Sequence, residues 1–135
     1  MSTTTIGNQT TVTILYRLSK AGKTVSIPFG DGCRYDLVVD EDGKLKKMQC
    51  KTGCLKNGVI RVLVSSPTRK TKDKGWGMKD YKGEVDVFGV YCPQNDKVYI
   101  VPADEVGKNA ISLRVGDAKK LRKDIRWAKD YEMGL

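Results

Sequence analysis

An acid, a neutral oxygen donor and an ammonium, Asp36, Gln49 and Lys51, are spaced in this sequence so that folding can bring them to one face of a hairpin. Residues 49 and 51 are two apart in a segment that reads as a strand, so their side chains leave from the same face. The turn-forming run Asp40-Glu41-Asp42-Gly43 folds that strand back on the one that carries Asp36. Leu37, Val38, Val39, Leu45 and Met48 mark both strands as partly buried, and a charge buried there needs a partner. Two readings follow: an Asp36–Lys51 ion pair or simply the polar face of a hairpin, and a chemical site. The chain has no histidine, which removes the usual general base and every Ser–His or Cys–His nucleophile. Any chemistry must therefore use carboxylates, lysine, metal or water.

The elements that position these groups can be read along the chain. Thr5 to Ala21 predicts a helix, with Ile6, Val12, Ile14, Leu15 and Leu18 as a broad apolar stripe and Gly22 as the stop. The threonines at 10, 11 and 13 are poor helix formers. Val25–Ile27 predicts a short strand, closed by Pro28 and Gly30-Asp31-Gly32. Strands follow at Tyr35–Val39, Leu45–Lys51 and Gly58–Val64. Ser65–Gly83 reads as a polar, Lys-rich inserted loop, a feature often tied to function in compact domains. Val85–Cys92 and Lys97–Val101 predict a hairpin around Pro93-Gln94-Asn95-Asp96. Pro102–Val106 reads as a short helix, Ser112–Val115 as an edge strand and Ala118–Tyr131 as a terminal helix. The order implies an α+β fold with a mostly antiparallel or mixed sheet, in one domain spanning 1–135.

Twenty-five Lys and Arg against sixteen Asp and Glu leave a net charge of +9. Such an excess concentrates polyanions, of which nucleic acid is the commonest in the cytosol. No apolar run approaches the ~20 residues of a membrane helix, and the N-terminus lacks the pattern of a signal peptide, so a cytoplasmic location is expected. The cysteines Cys33, Cys50, Cys54 and Cys92 are then reduced, and read as small buried hydrophobes rather than a zinc site. Arg69, Lys70, Lys72, Lys74, Lys79 and Lys82 are opposed in their stretch only by Asp73 and Asp80, with Trp76 between two glycines. A loop of that kind can follow a phosphate backbone and set an aromatic tip at a base step. The charges of 117–130 are mixed and read as a solvated helix face, with Trp127 as a packing residue.

The run from Gly30 to Asp40, followed by Met48-Gln49-Cys50-Lys51-Thr52, resembles the PD-(D/E)XK nuclease superfamily. In particular it is similar to the small endonucleases associated with group I introns, in which glutamine replaces the second acid of the motif. The likeness continues through Tyr81–Asp86, Phe88–Tyr91, Val98–Pro102, Asp104–Gly107 and Ile125–Ala128, nearly the whole chain. It implies a restriction-endonuclease-like core, a mixed central sheet flanked by helices, and a site-specific DNA endonuclease of the homing type. A Holliday-junction resolvase and a catalytically silent nucleic-acid-binding member share the same fold. By this resemblance Asp36, Gln49 and the carbonyl of Cys50 hold a divalent cation, Mg²⁺ or its substitute Mn²⁺. Lys51 orients the attacking water. Members of this branch carry a glutamate in the first helix; here Thr11 falls at that place, with Gln9 the nearest alternative. Asp36 is then the one clear carboxylate. Cutting both strands of double-stranded DNA needs two sites, which implies a homodimer or homotetramer, with Val85–Tyr91 and the terminal segment as either its interface or ordinary core.

Overall fold

The computed structural model describes residues 1–64, 66–69, 76–79, 83–107, 110–117 and 124–134. For 66–69 and 76–79 it describes the backbone alone. Helix α1 spans Thr3–Lys20. Ser2 caps it by accepting the Thr5 amide at 3.1 Å, and Arg17 and Lys20 face the negative end of its dipole. Thr11 and Thr13 fit because their hydroxyls donate to the carbonyls of Gly7 and Gln9, four residues back. The buried ridge is Thr10, Ile14 and Leu18, narrower than the expected stripe, and Ile6 and Val12 are exposed. Thr10 takes an apolar place on that ridge because its hydroxyl bonds to that of Thr52 at 2.6 Å.

The central sheet has the order β1-β2-β3-β8-β9, formed by β1 (Thr24–Ser26), β2 (Leu37–Glu41), β3 (Lys44–Thr52), β8 (Val87–Cys92) and β9 (Lys97–Pro102). Only β3 and β8 run parallel, so the sheet is mixed. On one face α1 packs through Ile14 and Leu18 onto Leu37, Val39, Met48 and Val87. Gly89 makes that approach possible, since a Cβ there would stand 2.6 Å from Met48 Sδ and 3.4 Å from Ile14 Cγ2. The other face carries Phe88, Val90 and Val101 against a smaller antiparallel sheet of order β10-β5-β4. Its strands are β4 (Cys54–Lys56), β5 (Val59–Leu63) and β10 (Ala110–Arg114). The result is α+β in three layers: helix, mixed sheet, small sheet. Among the described residues α1 is the one α-helix, and no helix is long and apolar enough to cross a membrane.

Several expectations change. The turn at 40–43 contracts to Asp42-Gly43, with φ of 53° and 88°, and β2 extends through Asp40 and Glu41. Asn57-Gly58, at 53° and 77°, makes a second two-residue turn and so creates β4, which the sequence reading missed. The inserted loop at 65–83 contains a hairpin of β6 (Ser66–Arg69) and β7 (Trp76–Lys79). The terminal helix is not formed over 124–131. Trp127 instead bridges Arg114 and Glu132 bridges Tyr99, leaving one 3-10 turn at Ala128–Asp130; residues 118–123 lie outside the described residues. The expected helix at 102–106 is a 3-10 turn, Ala103–Glu105. Of the two readings of Val85–Tyr91, ordinary core fits Val85, Val87, Phe88 and Val90, which are buried between the layers, while Asp86 is exposed and Tyr91 half-buried. Cys50 and Cys92 are buried as expected, whereas Cys33 and Cys54 are exposed.

Candidate active site

The site forms where β2 begins. Leu37 pairs with Met48, yet the Asp36 amide also donates to the Met48 carbonyl, at 2.8 Å. Two residues of one strand thus answer to one of the other, a bulge-like step of the kind that re-aims a side chain. The Asp36 carboxylate turns to β3, where Oδ2 accepts the Cys50 amide at 2.9 Å. Burial raises the Asp36 pKa above 3.8 despite two opposing effects, that hydrogen bond and the positive charge of Lys51. Met48 and Cys50 are buried on the α1 side, so Gln49 and Lys51 leave from the opposite face, both half-buried. Alongside them on β8 stand Phe88 and Val90, their register partners, which keep that face apolar.

Of the two helix positions, Thr11 reaches β3: its hydroxyl hydrogen-bonds the Cys50 thiol. Gln9 is exposed and lines an open groove with Tyr91 and Pro93 on the other flank of α1. Burial, and next the Asp36 charge, push the Cys50 thiol up to about 12 against the Thr11 hydrogen bond. Cys50 is therefore a neutral thiol at physiological pH, a poor ligand for soft metals.

Two supports were not foreseen. The Thr10–Thr52 hydroxyl pair pins α1 to the end of β3. Arg34 Nε meets Glu84 Oε2 at 2.8 Å, tying the segment before Asp36 to the one before β8. Opposite charges fifty residues apart give no signal in a sequence read alone. In the basic hairpin, Arg69 pairs with Trp76 and Ser66 with Lys79 across the β6–β7 backbone. Lys70, Lys72, Lys74 and Lys82 lie outside the described residues.

The sequence profile of the PD-(D/E)XK endonucleases matches residues 1–134. The chain belongs to that family. This PD-(D/E)XK chain is 34% identical over 111 residues to protein 5.3 of Escherichia phage T7, an overlap covering 79% of this chain and 85% of the phage protein. It is similar in structure to the bacterial homing endonuclease I-Ssp6803I, with a TM-score of 0.76 and 28% identity over 98% of this chain and 89% of that one. The family fold implies a nucleic-acid substrate, and PD-(D/E)XK nucleases usually use divalent metals. The residues at the site fit a hard cation in kind. Asp36 offers a carboxylate, Gln49 an amide carbonyl and Cys50 a main-chain carbonyl, while the only thiol there is protonated. They fit it sparingly in charge, since no three His, Cys, Asp or Glu side chains gather to hold a metal among the described residues.

Proposed function

We propose that this PD-(D/E)XK chain is a site-specific DNA endonuclease of the homing type, in the branch whose motif reads Gln49-Cys50-Lys51, and that it hydrolyses phosphodiesters with Mg²⁺ or Mn²⁺. The observation that carries the reading is the Asp36 carboxylate, held by the Cys50 amide beside Lys51 at the mouth of the β2–β3 hairpin. The likeness to a bacterial homing endonuclease supports the finer assignment.

Asp36, Gln49 and the Cys50 carbonyl would hold the cation. When bound, the ion polarises the scissile phosphate and lowers the pKa of water. Lys51 places a positive charge next to Asp36, where it orients a water and offsets the charge that develops on the phosphate. Phe88 and Val90 limit water on that face and strengthen these interactions. Arg69, Trp76 and Lys79 of the hairpin, with Lys70, Lys72, Lys74 and Lys82, contact double-stranded DNA. Two copies bring two sites to the two strands, as a homodimer or a homotetramer.

A DNA-binding member without catalysis is the second reading, favoured by the neutral Thr11 at the helix position. The test incubates the protein with Mg²⁺ or Mn²⁺, long linear duplexes and four-way junctions. Cleavage at one site in a long duplex is expected, and Lys51→Ala should reduce it by about 100-fold or more while binding stays within a few-fold. Paired nicks in junctions would make it a resolvase. Binding without cleavage in either metal would leave the second reading.

A further inference from the structure

We infer that the outward face of the small sheet β10-β5-β4 is a second contact for the phosphate backbone of duplex DNA, separate from the Asp36 site. The choice of DNA rests on the nuclease reading above. Alternation divides this sheet cleanly. Ile60, Val62, Ile111 and Leu113 point inward and are buried in the core shared with β8. The register then sets Lys56, Arg61 and Arg114 on the outward face, with no Asp or Glu on that face of any of the three strands. Arg61 sits on the middle strand between Cys54 and Ser112, and Lys56 and Arg114 flank Val59, two residues back. Such diagonal neighbours lie roughly 7–8 Å apart, so three like charges repel within one short sheet.

Four described cations meet a carboxylate, Arg17 with Asp96, Arg34 with Glu84, Lys46 with Glu41 and Lys97 with Glu132, and none of the four lies on this sheet. Lys56, Arg61 and Arg114 form no ion pair with a described carboxylate. Lys56 and Arg61 are exposed and Arg114 half-buried. Three cations on one face with no carboxylate partner among the described residues, set with the Ser112 hydroxyl, suit phosphate oxygens. A protein partner is the poorer match: Leu63 is the one large exposed apolar side chain on these three strands, too little for the apolar centre of a protein interface. The chain adds continuity, since β5 passes within a few residues into β6, the strand that ends on Arg69.

The experiment measures binding of a labelled 40-base-pair duplex of arbitrary sequence in EDTA, so that cleavage plays no part. Lys56→Gln/Arg61→Gln is compared with wild type between about 50 and about 200 mM KCl. Loss of two phosphate contacts lowers the slope of log affinity against log salt by about 1.8, so the wild-type advantage shrinks about 12-fold across that range. Ser112→Lys, which adds a cation to the exposed face, should steepen the slope by about 0.9. Unchanged slopes in both variants, with wild type still bound, would overturn this inference and leave the nuclease reading intact. A change in oligomeric mass by light scattering in place of a change in slope would make the face a contact between copies and overturn it as well. A wild type that shows no salt-dependent duplex binding would sink the nuclease reading itself.

Discussion

Replacing Asp36 in two ways separates what its hydrogen bond does from what its charge does. In Asp36→Ala the Cys50 amide, now bonded to Oδ2 at 2.9 Å, is left half-buried without that acceptor. An unsatisfied group of that kind costs about 1–3 kcal/mol. For a chain of 135 residues one kcal/mol moves the melting temperature by about 4 °C, so Asp36→Ala should melt about 4–12 °C low. Asp36→Asn keeps an acceptor of the same shape and removes the charge. Burial holds the Asp36 pKa above 3.8, and the Cys50 amide and Lys51 only partly offset it. A carboxylate with a raised folded pKa binds its proton more tightly folded than unfolded. Its ionisation therefore counts against the fold at every pH above the folded value, and the penalty fades as pH falls toward 3.8. Asp36→Asn should then melt at or above wild type at neutral pH in EDTA, and the advantage should close in acid. Both variants should lose cleavage. Thermal melts followed by circular dichroism at neutral pH and at about pH 4 decide the matter. An Asp36→Asn protein several degrees below wild type at neutral pH, recovering in acid, would show that attraction to Lys51 outweighs burial and refute the reasoning.

Thr11→Glu adds a second carboxylate beside Cys50 and Asp36. Mg²⁺ affinity, read by calorimetry, should rise about tenfold, while stability in EDTA falls; unchanged affinity would remove residue 11 from the site. Gly89→Ala puts a Cβ 2.6 Å from the sulfur of Met48, itself 2% exposed, and should cost about 1–3 kcal/mol in a denaturant melt. A neutral result would mean that Met48 can swing clear without disturbing α1. Alkylation of the native protein near pH 8 should modify the exposed Cys33 and Cys54 and spare Cys50, whose thiol is pushed up to about 12, and the buried Cys92. Mass spectrometry counts the adducts, and rapid labelling of Cys50 would contradict its burial.

The parts of the fold that were legible in the sequence are those specified by local chemistry. The β2–β3 and β8–β9 hairpins follow from apolar runs around turn-forming residues, and α1 from its apolar stripe and the stop at Gly22, though the buried ridge proves to be Thr10, Ile14 and Leu18. Weak strand propensity at Asp40 and Glu41 predicts a turn longer than Asp42-Gly43; pairing of Asp40 with Leu45 and Glu41 with Lys44 overrides it. Segments whose structure depends on distant partners were misread. Residues 124–131 carry helix-like charges, but Trp127 and Glu132 are held as bridge residues by Arg114 and Tyr99. Strands β6 and β7 contain Pro67 and Gly77 and no regular alternation, so nothing local announces them. The same division runs through the site. The spacing of Gln49 and Lys51 predicts a shared face, whereas the grip of the Cys50 amide on Asp36 depends on a step in register that no local pattern encodes.

That grip bears on how the proposed site would handle charge. Asp36 contributes one negative charge and Lys51 one positive, while Gln49, the Cys50 thiol and Thr11 are neutral, so the protein groups there sum to zero. A divalent cation entering such a site gains little from net Coulomb attraction, which falls off with the missing carboxylate. A phosphodiester brings the negative charge that the residues lack, so cation and DNA should bind with positive coupling, each tightening the other by the same factor. The coupling distinguishes this site from one with two or three carboxylates, which would load its metal in advance of DNA. Calorimetric titration of Ca²⁺, chosen to hold the site without cleavage, should therefore show weak binding to the free protein and a marked gain once a duplex is present. Equal affinity with and without duplex would mean that phosphate does not complete the site, and the role assigned to the lone Asp36 would fail with it.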